Sequence, residues 1–262
     1  MIRVSQLLLD KDNQPLLEDV QRYWSHRAAD YSQINVAELA NAKRVAWLSK
    51  ITEYAPNKPV LRVLDIGTGP GFFAVTLALA GHQVTAVDIT EAMLDQARDN
   101  AEHHGVSINF VHSDVHNLPF DDDSFDLVVS RNVTWNLDAP QCAYQEWRRV
   151  LMPGGRMVNF DANWYLQLFD EASRLGYLED RANARYLGLD DHYVNTDTTA
   201  MENIARQLPL SRERRPQWDT AALLHCGYHK VMMDTRVGET LWDETERVNY
   251  ASTPLFLVCA EK

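Results

Sequence analysis

The segment Val63-Leu-Asp-Ile-Gly-Thr-Gly-Pro-Gly-Phe72 limits what this chain can fold into more than any other. A short β-branched run, glycines at alternate positions and an almost wholly apolar stretch from Phe72 to Ala80 spell out strand, tight turn and buried helix. Glycine at such a turn lets a ligand approach the backbone where an open α/β sheet changes direction, and the helix start offers free N–H groups. The dinucleotide fingerprint G-x-G-x-x-G/A ends in a small residue that permits close helix packing; here Gly67-x-Gly69-x-Gly71 is followed by bulky Phe72. A dinucleotide is therefore disfavoured. Asp65, two residues before the first glycine, suits a cationic amino-acid moiety and would sit poorly beside a pyrophosphate.

From Val60 onward, short β-branched runs alternate with helical stretches, the pattern of βαβ units and a parallel sheet. Strands are predicted at Val60 to Ile66, Gln83 to Val87, Ser107 to His112, Phe125 to Ser130 and Arg156 to Phe160. Between them, Gly81 ends the first helix, and Thr90 caps a second that runs to His104 with Met93, Leu94, Ala97 and Ala101 on its buried face. Asp138 and Pro140 open a third helix ending near Met152, and Pro153-Gly-Gly155 turns into the fifth strand. Two helices, Val20 to Ile34 and Val36 to Ala55, come first, the second stopped by Pro56.

After Phe160 the texture is helical and loop-rich from Asn163 to Pro216, as expected of an inserted cap. A short helix, Asp219 to Cys226, then leads to His229 to Val237 and Pro254 to Ala260, an antiparallel pair closing the sheet. The predicted fold is α/β: a Rossmann-like seven-stranded, mostly parallel sheet with an antiparallel last strand, N-terminal helices and a helical cap after strand five. One domain is expected over 1–262. It divides into a helical lid (1–59), a cofactor-binding core (60–162), the cap (163–216) and the end of the sheet (217–262).

A formal charge of −12 repels polyanions, so nucleic acid is not an expected partner. Only Ser211-Arg-Glu-Arg-Arg215 approaches a basic patch, and it reads as a solvated loop ending at Pro216. No run reaches the roughly 18 apolar residues that cross a bilayer, and the first residues lack the apolar core of a signal peptide. A cytoplasmic protein without membrane insertion is expected, as monomer or homodimer. Cys142, Cys226 and Cys259 form no CxxC and read as reduced packing residues. His103, His104 and His112 are scattered at element ends, so no metal site is expected.

Asp88 falls at the end of the second strand, where a carboxylate can take both hydroxyls of a ribose. With it, Asp65-Ile-Gly-Thr-Gly-Pro-Gly71, Val87-Asp88, Ser113-Asp114, Phe125-Asp-Leu-Val-Val129 and Leu151-Met-Pro-Gly-Gly155 follow in order. This series resembles the successive motifs of class I S-adenosylmethionine-dependent methyltransferases. Tyr23-Trp-Ser-His-Arg-Ala-Ala-Asp-Tyr31 is similar to the N-terminal lid helix of the ubiquinone/menaquinone-biosynthesis branch.

The resemblance implies S-adenosyl-L-methionine as cofactor and S-adenosyl-L-homocysteine as product. It implies that Gly67, Thr68, Gly69, Gly71 and Phe72 form the turn presented to the methionyl part. Asp88 takes the ribose, Ile89 and Met93 border the adenine, and Ser113, Asp114 and Val115 flank its other side. Asp114 as the residue holding the exocyclic amine stands beside a second reading, a turn-forming side chain. Arg131 and Asn132 lie where the family lines the space between donor and acceptor. Ser130-Arg-Asn-Val-Thr-Trp135 departs from the Asn/Asp-Pro-Pro-aromatic motif of amino-methylating nucleic-acid enzymes, which points to a small acceptor.

Tyr23, Trp24, Arg27 and Tyr31 share one side of a helix, where aromatic faces suit a sulfonium and Arg27 could hold a carboxylate; core packing is the competing reading. Substrate contacts are expected from Trp135, Asn136, Asn163, Trp164, Tyr165, Tyr186, His192 and Tyr193, a set suited to a planar or partly apolar acceptor. His192 and Asp161 are the candidate general bases for an in-line displacement. A cofactor-binding module, a non-methyl-transferring use of the cofactor such as aminopropyl transfer, and, with least support, a nucleic-acid methyltransferase are the alternatives.

Overall fold

The computed structural model describes residues 14–191 and 197–262. Seven strands form its sheet: β1 (Arg62–Ile66), β2 (Gln83–Asp88), β3 (Asn109–His112), β4 (Phe125–Arg131), β5 (Leu151–Asp161), β6 (Lys230–Asp234) and β7 (Phe256–Glu261). Their order is β3-β2-β1-β4-β5-β7-β6. β1 to β5 pair in parallel, and β7 runs antiparallel to β5 and β6, giving the mostly parallel sheet read from the sequence. The chain winds outward from β1 in one direction to β3 and then in the other through β4 and β5. The crevice at the carboxyl ends of β1 and β4 is therefore a topological switch point.

A parallel sheet covered on both faces needs strands that are apolar on both sides, and β1 supplies one. Val63 packs into one layer and Leu64 and Ile66 into the other, all fully buried. The first layer joins α2 (Ala42–Tyr54) and α3 (Phe72–Leu79) to the sheet. There Trp47 lies 5.3 Å from Phe73 and 4.9 Å from Phe160, ring centre to ring centre. The second layer is made by α5 (Pro140–Val150) and α8 (Gln217–His225). In α5 the helical spacing of Ala143, Tyr144, Trp147 and Val150 buries one face, while Arg148 and Arg149 complement the negative helix end. Each such large apolar side chain contributes roughly 1.5–3 kcal/mol on burial.

The N-terminal helices divide later than the sequence suggested. α1 (Gln14–Leu39) continues through Asn35, whose amide donates back to the Tyr31 carbonyl at 3.3 Å. The break falls at Asn41, whose side chain caps α2 through the Lys43 amide. β5 also differs: it begins at Leu151 and runs through Pro153-Gly-Gly155, because the pairing with β4 shifts between Phe125 and Leu127 and the extra residues bulge out.

After β5 the described residues are helical, with α6 (Glu171–Leu187) and α7 (Thr198–Ala205) between short 3-10 turns at Leu166–Leu168 and Pro209–Arg212. A second cover that the sequence reading left unassigned lies between β6 and β7, where α9 (Gly238–Leu241) and α10 (Glu244–Asn249) sit. Lys43 ties it to α2 through Asp243 at 2.8 Å and Glu246 at 2.6 Å. α4 (Glu91–His103) adds to the first layer through Ala101, with Met93, Leu94 and Ala97 also buried. No helix among the described residues is long and apolar enough to cross a membrane.

Candidate functional site

At the switch point the sheet opens into a cavity of about 1340 Å³. Its floor is built from the ends of strands: Gly67 and Gly69 after β1, Asp88 and Ile89 at β2, Asp114 and Val115 after β3, and Arg131 and Asn132 at β4. α1 supplies one wall with Tyr23, Trp24, Arg27 and Tyr31; Trp135, Asn136, Trp164 and Tyr165 supply another. The β6–β7 connection adds Trp242, Asp243, Glu246 and Tyr250.

The glycines divide the labour. Gly67 has φ +59°, and a β-carbon there would come within 2.5 Å of Val133, so only glycine lets the turn pass beneath the loop after β4. At Gly71, with φ +89°, a β-carbon would come within 3.1 Å of the Ala97 side chain of α4, so glycine lets the start of α3 lie close against α4. It therefore does the close helix packing that the missing small residue at position 72 had seemed to rule out. Gly69 faces the open cavity. Gly71, Thr68 and Phe72 do not reach the cavity wall; Phe72 packs in the core against Trp47 and Phe73.

Asp65 also lies beneath the turn rather than on the wall, accepting from the Thr68 hydroxyl at 2.6 Å and from the Ala74 amide. Burial raises its pKa to about 7, against these hydrogen bonds. Its proton is thus held more tightly in the folded chain than in the unfolded one, so ionising it opposes folding. Between the ordinary carboxylate value of about 4 and about 7, stability should fall as pH rises. Denaturant unfolding across that window should show this slope in the wild-type chain and lose it in Asp65→Asn; parallel slopes would refute it.

Asp88 is buried and points into the cavity, one oxygen accepting from the Gly69 amide at 2.9 Å and the other from the Thr90 amide at 2.9 Å. Burial raises its pKa, opposed by those backbone bonds. The Thr90 hydroxyl and the Ile89 amide also bond to it, so the carboxylate is aimed by the turn and by the start of α4. Ile89, Met93 and Val115 give this end apolar sides. A residue missed in the sequence, His116, also lines it, with Nδ1 2.6 Å from Asp114 and Nε2 3.4 Å from Asp138. Burial depresses the imidazole's pKa, but Asp114 and Asp138 outweigh it and raise the net value; Asp114 is held below the ordinary range in return. The spacing Asp114-x-His116 was the available signal. Asp114 accepts both the His116 amide and its ring nitrogen, which supports the turn-forming reading for that oxygen. Ser113 turns aside, donating to the Asp114 carbonyl, and is not on the wall.

Tyr23, Trp24 and Tyr31 meet edge to face at 5.3 and 5.7 Å along α1. They are both packing residues and cavity wall. Gln21 links this helix to the floor through the Ile89 carbonyl at 3.1 Å. Asn132 stands at φ +58° and joins three elements: Trp135 donates to its carbonyl at 2.9 Å, Trp164 to its side-chain oxygen at 3.3 Å, and the Tyr31 hydroxyl shares a hydrogen bond with its side chain. Arg131 is engaged by Glu38 through two bonds of 2.8 and 2.9 Å and stacks 4.6 Å above Trp47. Among the described residues no His, Cys, Asp and Glu cluster is arranged to hold a metal.

Several expected contacts are corrected. Asp161 is fully buried off the cavity, accepting from the Thr134 hydroxyl, the Trp135 and Ala162 amides and the Arg215 guanidinium; so saturated a carboxylate cannot serve as a base. Asn163 is spent on the backbone of Arg215, at 2.8 Å in both directions. Tyr186 is 89% exposed on α6 and away from the cavity. His192 and Tyr193 lie outside the described residues. Arg215, read as part of a solvated run, is a core residue, whereas its neighbour Arg214 does face water.

Residues 64–159 match the family model described as methyltransferase domain. Demethylmenaquinone methyltransferase of Clavibacter sepedonicus is 41% identical over 97 residues, covering 37% of this chain and 39% of the relative. Malonyl-[acyl-carrier protein] O-methyltransferase of Erwinia pyrifoliae is 39% identical over 110 residues, covering 42% and 40%. The chain thus spans about two fifths of the length of these curated relatives. Among solved structures, phosphoethanolamine N-methyltransferase 2 of Haemonchus contortus shares the fold with a TM-score of 0.58 at 18% identity, over 82% of this chain and 51% of that one.

Proposed function

We propose, from the premise that this chain belongs to the class I S-adenosylmethionine-dependent methyltransferases, that it transfers a methyl group from S-adenosylmethionine to a small-molecule acceptor. The observation that carries this reading is Asp88, a carboxylate at the end of β2 that is buried, oriented by backbone amides and set in the cavity lining beside an open glycine turn. The residues fit the cofactor's parts. Asp88 would hold the ribose, Ile89, Met93 and Val115 the adenine, and Gly67 and Gly69 the methionyl chain, with Tyr23, Trp24 and Tyr31 offering ring faces to a sulfonium. When bound, the cofactor supplies an activated methyl group.

The protein's share is to orient both partners and exclude water, which in favourable cases supplies roughly 7–11 kcal/mol of the barrier. The α1 aromatics and the Asn132 clamp to Trp135 and Trp164 close the cavity from two sides. Asp161 is locked in its ion network, so no base is assigned from it. A cytoplasmic setting is part of the same reading.

Calorimetry should give Kd values in the micromolar range for S-adenosylmethionine and S-adenosylhomocysteine, and incubation with acceptor pools should release S-adenosylhomocysteine. A native chain that binds neither would sink the proposal.

A further inference from the structure

Resting on that reading, we propose that the acceptor is a nitrogen base with a flat apolar body, neutral or cationic, and that carboxylate- or phosphate-bearing acceptors are excluded. The first ground is where the cavity's cations are committed. Arg131 gives both terminal nitrogens to Glu38, Lys43 lies between Asp243 and Glu246, and Arg27 sits 3.7 Å from Asp30. Among the described residues, an anion would have to compete with a carboxylate for each of these three cations.

The second ground is the field. Among the described residues away from those assigned to the cofactor, the cap and the β6–β7 connection bring Asp190, Asp191, Asp243 and Glu246 to the lining and α1 adds Glu38, so carboxylates outnumber Arg131 and Lys43 there, with Asp191 paired to Arg181 at 2.5 Å. Clefts lined by one sign of charge concentrate ligands of the other. The third is the Asn136 side-chain oxygen, which is buried at this wall without a hydrogen-bond partner among the described residues. A buried acceptor left unpaired costs free energy that an incoming N–H can recover. The same cavity is lined by Trp135, Trp164, Tyr165 and Tyr250, ring faces suited to a planar ligand and favourable to positive charge. Tyr165 is held at φ +68°, a backbone conformation that a bulky residue adopts only when its surroundings impose it.

In this reaction the nitrogen lone pair forms the new bond to the methyl carbon while the carbon–sulfur bond breaks, its electron pair staying on sulfur. The acceptor reacts as its neutral amine, an ammonium form first losing its N–H proton to water, and the methylated nitrogen emerges as a cation. A cationic product is well matched to the carboxylate-rich wall, and no protein base is required.

The test uses the full chain saturated with S-adenosylhomocysteine and three probes that share one ring: tryptamine, tryptophol and indole-3-acetate. Calorimetry should rank them in that order, with tryptamine at least about tenfold tighter than the acid. Asn136→Leu should reduce the amine's advantage several-fold, and Asn136→Asp should keep or enlarge it, with cofactor affinity measured in parallel to verify the fold. Equal binding of the three probes, or preference for the acid, would overturn the assignment. Failure of S-adenosylhomocysteine itself to bind would instead refute the methyltransferase reading.

Discussion

Replacing Asp88 by alanine is expected to weaken S-adenosylmethionine binding by about 100-fold or more, equivalent to about 2.7 kcal/mol. Two losses combine. The ribose hydroxyls lose a charged acceptor, and the Gly69 and Thr90 amides lose the carboxylate that fixes the turn and the start of α4. Asparagine should not rescue it, because its NH2 group would have to face one of those two N–H donors. Calorimetry on both variants checks the prediction, with unfolding curves confirming that the chain remains folded. An Asp88→Ala chain that binds the cofactor as tightly as wild type would remove the ribose role altogether.

The largest effect on stability should come from Arg215→Met. The guanidinium is completely buried, donating to Asp161 at 2.7 Å and to both oxygens of Asp219 at 2.9 and 2.7 Å, and it lies 5.0 Å above Phe256. Tyr144 donates to the same Asp219 at 2.5 Å. Asp161 and Asp219 outweigh burial and hold the Arg215 charge firmly in place. Truncating the cation leaves two carboxylates buried without compensation, a change that costs about 3–5 kcal/mol. Urea unfolding should report it as a lower midpoint at unchanged slope. The triple variant Arg215→Met, Asp161→Asn, Asp219→Asn removes the stranded charges and should recover most of the loss. A single variant as stable as wild type would mean that the network is idle.

This network also explains why the substrate side was harder to read than the cofactor side. Asp161 ends the fifth strand and Asn163 follows it, where a sheet of this kind places reactive groups, and their residue types permit catalysis. What withdraws them is Arg215, more than fifty positions away, whose charge needs Asp161 and whose backbone needs Asn163. Nothing in Ser211-Arg-Glu-Arg-Arg215 marks its last arginine as buried and Arg214 as exposed. Similarly, His116 became part of the site only because the loop after β3 folds it between Asp114 and Asp138.

The N-terminal helix boundary makes the same point locally. Either Asn35 or Asn41 could interrupt a helix; Asn35 instead bonds back to Tyr31 and lies buried, while Asn41 becomes the cap. That choice keeps Tyr23, Trp24, Arg27, Tyr31 and Glu38 on one continuous helix over the cavity.

What the sequence determined by itself is whatever depends on periodicity and local backbone geometry: the parallel core, the glycine turn, and the carboxylate at the end of β2. These follow from neighbours a few residues apart. Only the tertiary structure decided which glycine packs and which faces the cavity, which arginine is buried, that α9 and α10 help to line the site, and which carboxylates are spent. Those outcomes depend on charges and side chains brought together from distant parts of the chain, where a partner's presence changes what an acidic or amide group can do.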